Sequence, residues 1–185
     1  MICSFARSMP KYSVVGHLDD VHQALLISRP ALQHVGRHIQ STPWATEAGG
    51  QLFGTIDAAQ VCVIEASGPY AGDERSRYRY RSNPAAAQRT IDDRHRRRLL
   101  YLGEWHTHAE DYPSASSLDD DAMRRLICCS QLNSNALLMM IVGRARDAAG
   151  LAVWSVSTSA ARQWSLSASG ERRNRSPDEA QRNPG

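Results

Sequence analysis

The sequence predicts an α/β domain of the α+β kind, with helices packed on a central, mostly antiparallel sheet. Three observations lead there. Apolar runs of strand length recur along the chain, among them "GGQLFGTI", "QVCVIEAS", "NALLMMIVG" and "GLAVWSVS". Between them lie stretches with helix-start signals, a capping residue followed by proline or acids. No internal repeat is visible, and 185 residues suit one domain with room for a tail.

Taken in order, "VHQALLIS" reads as a strand and "SRPALQHVGRHIQ" as a helix capped by Ser28 with Pro30 in its first turn. Leu32, Val35 and Ile39 fall at helical spacing there. "GGQLFGTI" and "QVCVIEAS" form two strands around the turn "DAA". "GPYAGDERSRYRYRSN" is a polar, arginine-rich loop with a brief strand at Tyr78 to Tyr80. Asn83 caps a helix opened by Pro84, and "YLGEWHTH" is a strand. "SSLDDDAMRRLICCSQ" is a helix whose acidic first turn suits the dipole. Two buried strands joined by "RARDAA" follow. The domain is expected over residues 12–165, and the polar residues 166–185, which lack apolar periodicity, as a disordered tail.

Bulk properties exclude several classes. A net charge of +3 does not imply nucleic acid, and no apolar run is long enough to span a bilayer. Cys3, Cys62, Cys128 and Cys129 form no CxxC pair, so a disulfide scaffold and a cysteine zinc site are both unsupported. The N-terminus lacks a signal-peptide apolar region. A cytoplasmic setting is expected.

The chemistry concentrates in "GEWHTHAEDYPSASSLD", Gly103 to Asp119. Residues two apart on a strand face the same way, so His106 and His108 aim together, as two imidazoles sharing a metal must. After a loop containing Pro113 the chain enters a helix near Ser116 or Ser117, with Asp119 in its first turn. Folded back, that loop offers the Asp119 carboxylate as a third ligand. Two histidines and a carboxylate leave a fourth tetrahedral position open, the arrangement of a catalytic Zn2+. Such a site also needs a base that is not a ligand. Glu47 in "ATEAGGQLFG" is the candidate, because the glycines after it permit a tight turn and close backbone approach. Ser116 offers a hydrogen bond to an oxyanion, and equally an N-cap.

His-x-His, seven residues, Ser, two residues, Asp resembles the JAMM motif of the JAB/MPN metallopeptidases, with His106, His108, Ser116 and Asp119 in its four places. "EAGGQLFG" resembles the segment carrying that family's catalytic glutamate, which falls on Glu47. Together with "SGPY", the basic loop, the helix with Gln88 and "YLGEWHTH", the likeness points to a bacterial branch that includes the deconjugating peptidases of CBASS anti-phage operons. The resemblance implies an MPN, cytidine deaminase-like fold, one Zn2+ per chain, and isopeptidase cleavage of a conjugated C-terminal tail, from a CD-NTase or a ubiquitin-like protein. It also implies an E1–E2 fusion protein as co-worker. Two departures stand out: Ala109 and Ala115 occupy places where proline is usual.

Other readings were weighed against this one. "HAE" at His108 to Glu110 imitates a deaminase signature, but the P-C-x-x-C that chemistry needs is missing. A non-catalytic MPN scaffold and a peptidase acting on a ubiquitin-like sulfur-carrier protein are the alternatives. Glu104 reads as a structural hydrogen-bond partner, and Trp105, Cys128, Cys129, Met139 and Met140 as core. The arginines Arg75, Arg77, Arg79 and Arg81, with Arg94, Arg96, Arg97 and Arg98, form a solvated face or a docking surface. His17, His22, His34, His38 and His95 have no partners at ligand spacing.

Overall fold

The computed structural model describes residues 12–130, 132 and 134–169. β1 (Tyr12–Leu18) and β2 (Val21–Ser28) form a hairpin that leads into α1 (Arg29–Gly36). The Ser28 hydroxyl accepts from the Ala31 N–H, the cap expected from the sequence. β3 (Gly49–Ile56) and β4 (Gln60–Ala66) follow, then a short hairpin, β5 (Glu74–Ser76) and β6 (Arg79–Arg81). α2 (Pro84–Arg96), β7 (Leu100–Thr107), α3 (Ser117–Cys129), β8 (Ala136–Val142), β9 (Leu151–Ser157), β10 (Ala161–Gln163) and β11 (Ser165–Ala168) complete the described chain.

Nine strands form one sheet in the order β10-β9-β8-β7-β3-β4-β2-β1-β11. The β2–β4 and β7–β8 pairs are parallel, and the others are antiparallel. A parallel pair needs a crossover, and α3 supplies it between β7 and β8. β8 is buried on both faces, which explains its unbroken apolar run. Leu138, Met140 and Val142 join Ala31 and Val35 of α1, while Leu137, Met139 and Ile141 pack with Met123 of α3. Trp105, Met139 and Met140 are core as expected.

β10 and β11 are separated only by Trp164, yet they end opposite edges of the strand order. The sheet therefore curls until its ends approach. Trp164 is buried in the core that includes Val14, and its indole N–H donates to Ser155 Oγ at 3.0 Å. Arg162 of β10 pairs with Asp20 in the β1–β2 turn, across the same gap.

Four expectations need correction. The segment after 165 continues as β11 to Ala168, pairing Ser165 with His17 and Ala168 with Val14. A polar sequence suffices there because main-chain bonds to β1 and the half-buried Leu166 hold it. Residues 170–185 of the expected tail lie outside the described residues. The strand expected at Tyr78 to Tyr80 is a hairpin with Tyr78 in its turn. Cys128 and Cys129 are exposed in the last turn of α3, because the face that meets β8 is set by Met123. β1 has no counterpart among the expected strands.

Glu104 on β7 is the structural partner expected. It accepts from the Tyr101 hydroxyl at 2.5 Å and from the Gln51 amide at 3.0 Å. Burial pushes its carboxyl from the ordinary 4.5 up to about 7.

Two outcomes follow. A chain ending at Trp164 loses β11 and the packing of Leu166, a cost on the order of 2 kcal/mol. At about 2–4 °C per kcal/mol it melts roughly 5 °C below a chain ending at Ser169. The second concerns pH. Folded Glu104 holds a proton that the unfolded chain has released, so stability falls as pH rises from about 4.5 to about 7. Chemical denaturation across that window measures the slope, and Glu104→Gln makes it shallower.

Candidate metal centre

The alternation of β7 sends His106 to the α3 side of the sheet, and Trp105 and Thr107 to the α1 side. The ladder continues past the strand, since the His108 N–H donates to the Val142 carbonyl at 3.0 Å. The two rings therefore meet, with Nε2 atoms 3.1 Å apart. The loop that follows is anchored despite Ala109 and Ala115. The carbonyls of Glu110 and Asp111 accept from the backbone N–H groups of Arg144 and Ala145 at 2.7 and 3.0 Å. Arg144 also reaches the Asp111 carboxylate at 2.9 Å.

That loop delivers α3 with Ser116 as its N-cap. Ser116 Oγ accepts from the Asp119 N–H at 3.3 Å, and Asp119 Oδ2 accepts from the Ser116 N–H at 2.8 Å, closing a capping box. The Ser116 hydroxyl hydrogen goes to the same Oδ2, at 2.7 Å. Oδ1 is left facing His106 Nε2 at 3.2 Å, and Oδ2 lies 3.6 Å from His108 Nε2.

These separations test whether a metal fits. Tetrahedral zinc at about 2.0–2.1 Å from each ligand requires ligand atoms about 3.3–3.4 Å apart. The two Nε2 atoms, 3.1 Å apart, and Asp119 Oδ1, 3.2 Å from His106, lie close to that value, while the 3.6 Å approach to His108 is made by the other oxygen, Oδ2. His106, His108 and Asp119 form a group in which one ligand atom from each lies within 4.8 Å of the others. Protonation agrees. Burial, then the charge of His106, lowers the His108 pKa and favours the neutral ring a metal needs. Burial raises the Asp119 pKa, but His106 and the two bonds from Ser116 outweigh it and hold the carboxyl well below the usual range.

Glu47 sits at the entrance to β3, 8 % exposed. Burial is the main cause that pushes its carboxyl from 4.5 up to about 7. The charges of His106 and Asp119 act on it in opposite senses, so it lies within electrostatic reach of the same group. The glycines after it are required by close packing. A Cβ at Gly50 would collide with the Ser67 carbonyl, and one at Gly49 with the Tyr80 ring.

The structure thus brings His106, His108, Ser116 and Asp119 together, with Glu47 within electrostatic reach of them. It also adds partners that spacing did not reveal. Arg75 Nε donates to the Glu47 carbonyl at 2.5 Å, and the Glu47 N–H donates to the Ser76 carbonyl at 2.8 Å. Arg94 and Arg97 bind Glu65 at 2.9 and 2.8 Å. The basic concentration is therefore partly internal bonding. His34 and His38 pack beside Trp105, with ring centroids 5.9 and 5.7 Å from it. No helix of the described residues is long and apolar enough to cross a membrane.

A relative from Pseudomonas aeruginosa strain BWHPSA011 / Pa011, named CD-NTase/cGAS isopeptidase, is 33% identical over 137 residues, covering 68% of this chain and 81% of its own. A protein of the same name from Escherichia coli strain TW11681 is 28% identical over 130 residues, covering 69% and 81%. One from Vibrio cholerae serotype O1 is 36% identical over 101 residues, covering 53% and 62%. The solution structure of DSY2949 from Desulfitobacterium hafniense matches in fold with a TM-score of 0.55 at 17% identity, over 74% of this chain and 87% of that one. The family model for prokaryotic homologs of the JAB domain matches residues 28–166, and this chain belongs to that family.

Proposed function

We propose that this protein is a zinc-dependent isopeptidase that removes a conjugated C-terminal tail, with His106, His108 and Asp119 as metal ligands and Glu47 as proton carrier. The observation that carries the reading is the cluster of His106, His108 and Asp119, one ligand atom from each within 4.8 Å of the others, with the buried Glu47 carboxylate within electrostatic reach. Zinc held there would supply a Lewis acid that makes water acidic near neutral pH.

The remaining work falls to side chains. Hydrolysis adds water to the carbonyl carbon of the isopeptide and breaks its C–N bond. Glu47 takes the proton that water loses and delivers it to the departing amine. Its raised pKa suits both halves of that transfer near neutrality. Ser116 has one hydroxyl hydrogen, directed at Asp119 Oδ2. To stabilise an oxyanion it must redirect that hydrogen, while the capping bonds through its N–H and Oγ hold the helix end.

The relatives named CD-NTase/cGAS isopeptidase support a CD-NTase conjugate as the substrate class, in a CBASS-type defence setting. A cytoplasmic location and an E1–E2 fusion protein as co-worker belong to the proposal and rest on the sequence alone. An extended tail binds well by adding to a strand edge. β3 offers no such edge, since β4 and β7 flank it. The two-stranded β5–β6 hairpin has open edges and is tied to Glu47. We assign the opposite wall to Tyr112, exposed on the loop after His108.

Metal analysis of purified protein is expected to find about one zinc per chain, and less than a tenth of that in a His106→Ala, His108→Ala double variant. Full occupancy in the double variant would sink the ligand assignment. Glu47→Gln is expected to keep the zinc and lose roughly 10²–10⁴-fold in cleavage of a fusion bearing the cognate tail. Cleavage at the wild-type rate would move the base elsewhere.

A further inference from the structure

Gln40 is 1 % exposed and lies between α1 and the Glu47 segment, in neither of them. Every polar group of its side chain is used. Nε2 donates to the Ala45 carbonyl at 3.0 Å and to the Arg77 carbonyl at 3.0 Å. Oε1 accepts from Thr107 Oγ1 at 3.4 Å. One amide thus joins the approach to Glu47, the turn of the arginine hairpin, and the strand carrying both histidines.

Thr107 extends the junction. It lies between the two histidines but faces the opposite side of the sheet and is fully buried. Its Oγ1 accepts from the Ala48 N–H at 3.0 Å, while its own N–H donates to the Ala48 carbonyl at 2.9 Å. The Glu47 N–H is held by Ser76, and the Glu47 carbonyl by Arg75. The peptide planes on both sides of Glu47 are therefore bonded. Only the side-chain torsions of Glu47 remain free to move its carboxyl relative to His106.

We propose that Gln40, with Thr107 and Arg75, is a positioning cluster that sets Glu47 against the histidine pair and transmits the placement of the β5–β6 hairpin to it. The proposal rests on the reading of Glu47 as proton carrier. Buried, fully satisfied polar networks specify one geometry. A displacement of about 1 Å at a reacting group costs up to ~10²-fold in rate. A role confined to stability would lower the melting temperature and leave the turnover of folded enzyme unchanged.

The test uses the zinc-loaded full chain and a fusion bearing the cognate tail. Gln40→Leu and Thr107→Val each are expected to lower kcat about 10–100-fold, with KM within about twofold and zinc content unchanged. Thr107→Ser keeps the hydroxyl and restores kcat, and Arg75→Lys recovers part of what Arg75→Ala loses. Independently of activity, hydrogen exchange at the Glu47 and Ala48 amides speeds up in Gln40→Leu and Thr107→Val, while β8 and β9 amides stay protected. In a Glu47→Gln background, Gln40→Leu adds no further loss. Wild-type kcat in folded Gln40→Leu and Thr107→Val, or additive losses in the double variant, would overturn the proposal and leave Glu47 in place. Wild-type turnover in Glu47→Gln alone would instead remove the reading beneath it. Should Gln40→Leu fail to fold, Thr107→Val and Arg75→Ala carry the same measurements.

Discussion

The alternation of side chains along β7 is the constraint on which the rest depends. A strand between two neighbours has no freedom to turn a residue over without losing its ladder. β7 is clamped by β3 on one side and β8 on the other, in registers that place His106 opposite both Gly49 and Ile141. His106 must therefore face α3, and Thr107 must face α1. His106 and His108, two of the proposed metal ligands, flank Thr107 of the proposed positioning cluster, which faces the other side of the sheet. A change in the register of β7 would disturb both at once.

The site was legible from the sequence because its parts obey local rules. Period two in a strand groups His106 with His108, and a capping residue marks where α3 begins, which puts Asp119 in its first turn. The burial of β8 on both faces likewise appears as an unbroken apolar run. What escaped depends on contacts between distant segments. β11 is polar and short, and only its pairing with β1 makes it a strand. Arg75 looks like its neighbours Arg77 and Arg79 in the sequence, and only the fold brings its Nε to the Glu47 carbonyl. Cys128 and Cys129 match a buried pair in composition, yet the rotation of α3 set by Met123 turns them to solvent.

Ser116 and Asp119 show how one local motif serves structure and chemistry together. A helix start has N–H groups without partners, and the capping box satisfies two of them with this serine and this aspartate. The same bonds hold the Asp119 carboxylate ionised and rigid, with one oxygen committed to Ser116 and the other facing His106. The positive end of the helix adds to that preference for the anion. Removing Ser116 would thus weaken the cap, release the carboxylate and delete the hydroxyl in one step.

The two halves of the site are held by different means, and the difference has a mechanical consequence. Asp119 is fixed by bonds within one turn of α3, and the histidines by the sheet. Glu47 has neither support: it precedes β3 and relies on Ser76, Arg75, Gln40 and Thr107, all of which lie outside its own segment. The His106, His108 and Asp119 group is therefore the stiffer half, and Glu47, the proposed proton carrier, the half that answers to its surroundings. Among those surroundings, the β5–β6 hairpin forms a ladder with no other strand of the described residues. Under the proposed docking, an extended chain paired with the hairpin would act on Glu47 through the Ser76 carbonyl and, by way of Gln40, the Arg77 carbonyl.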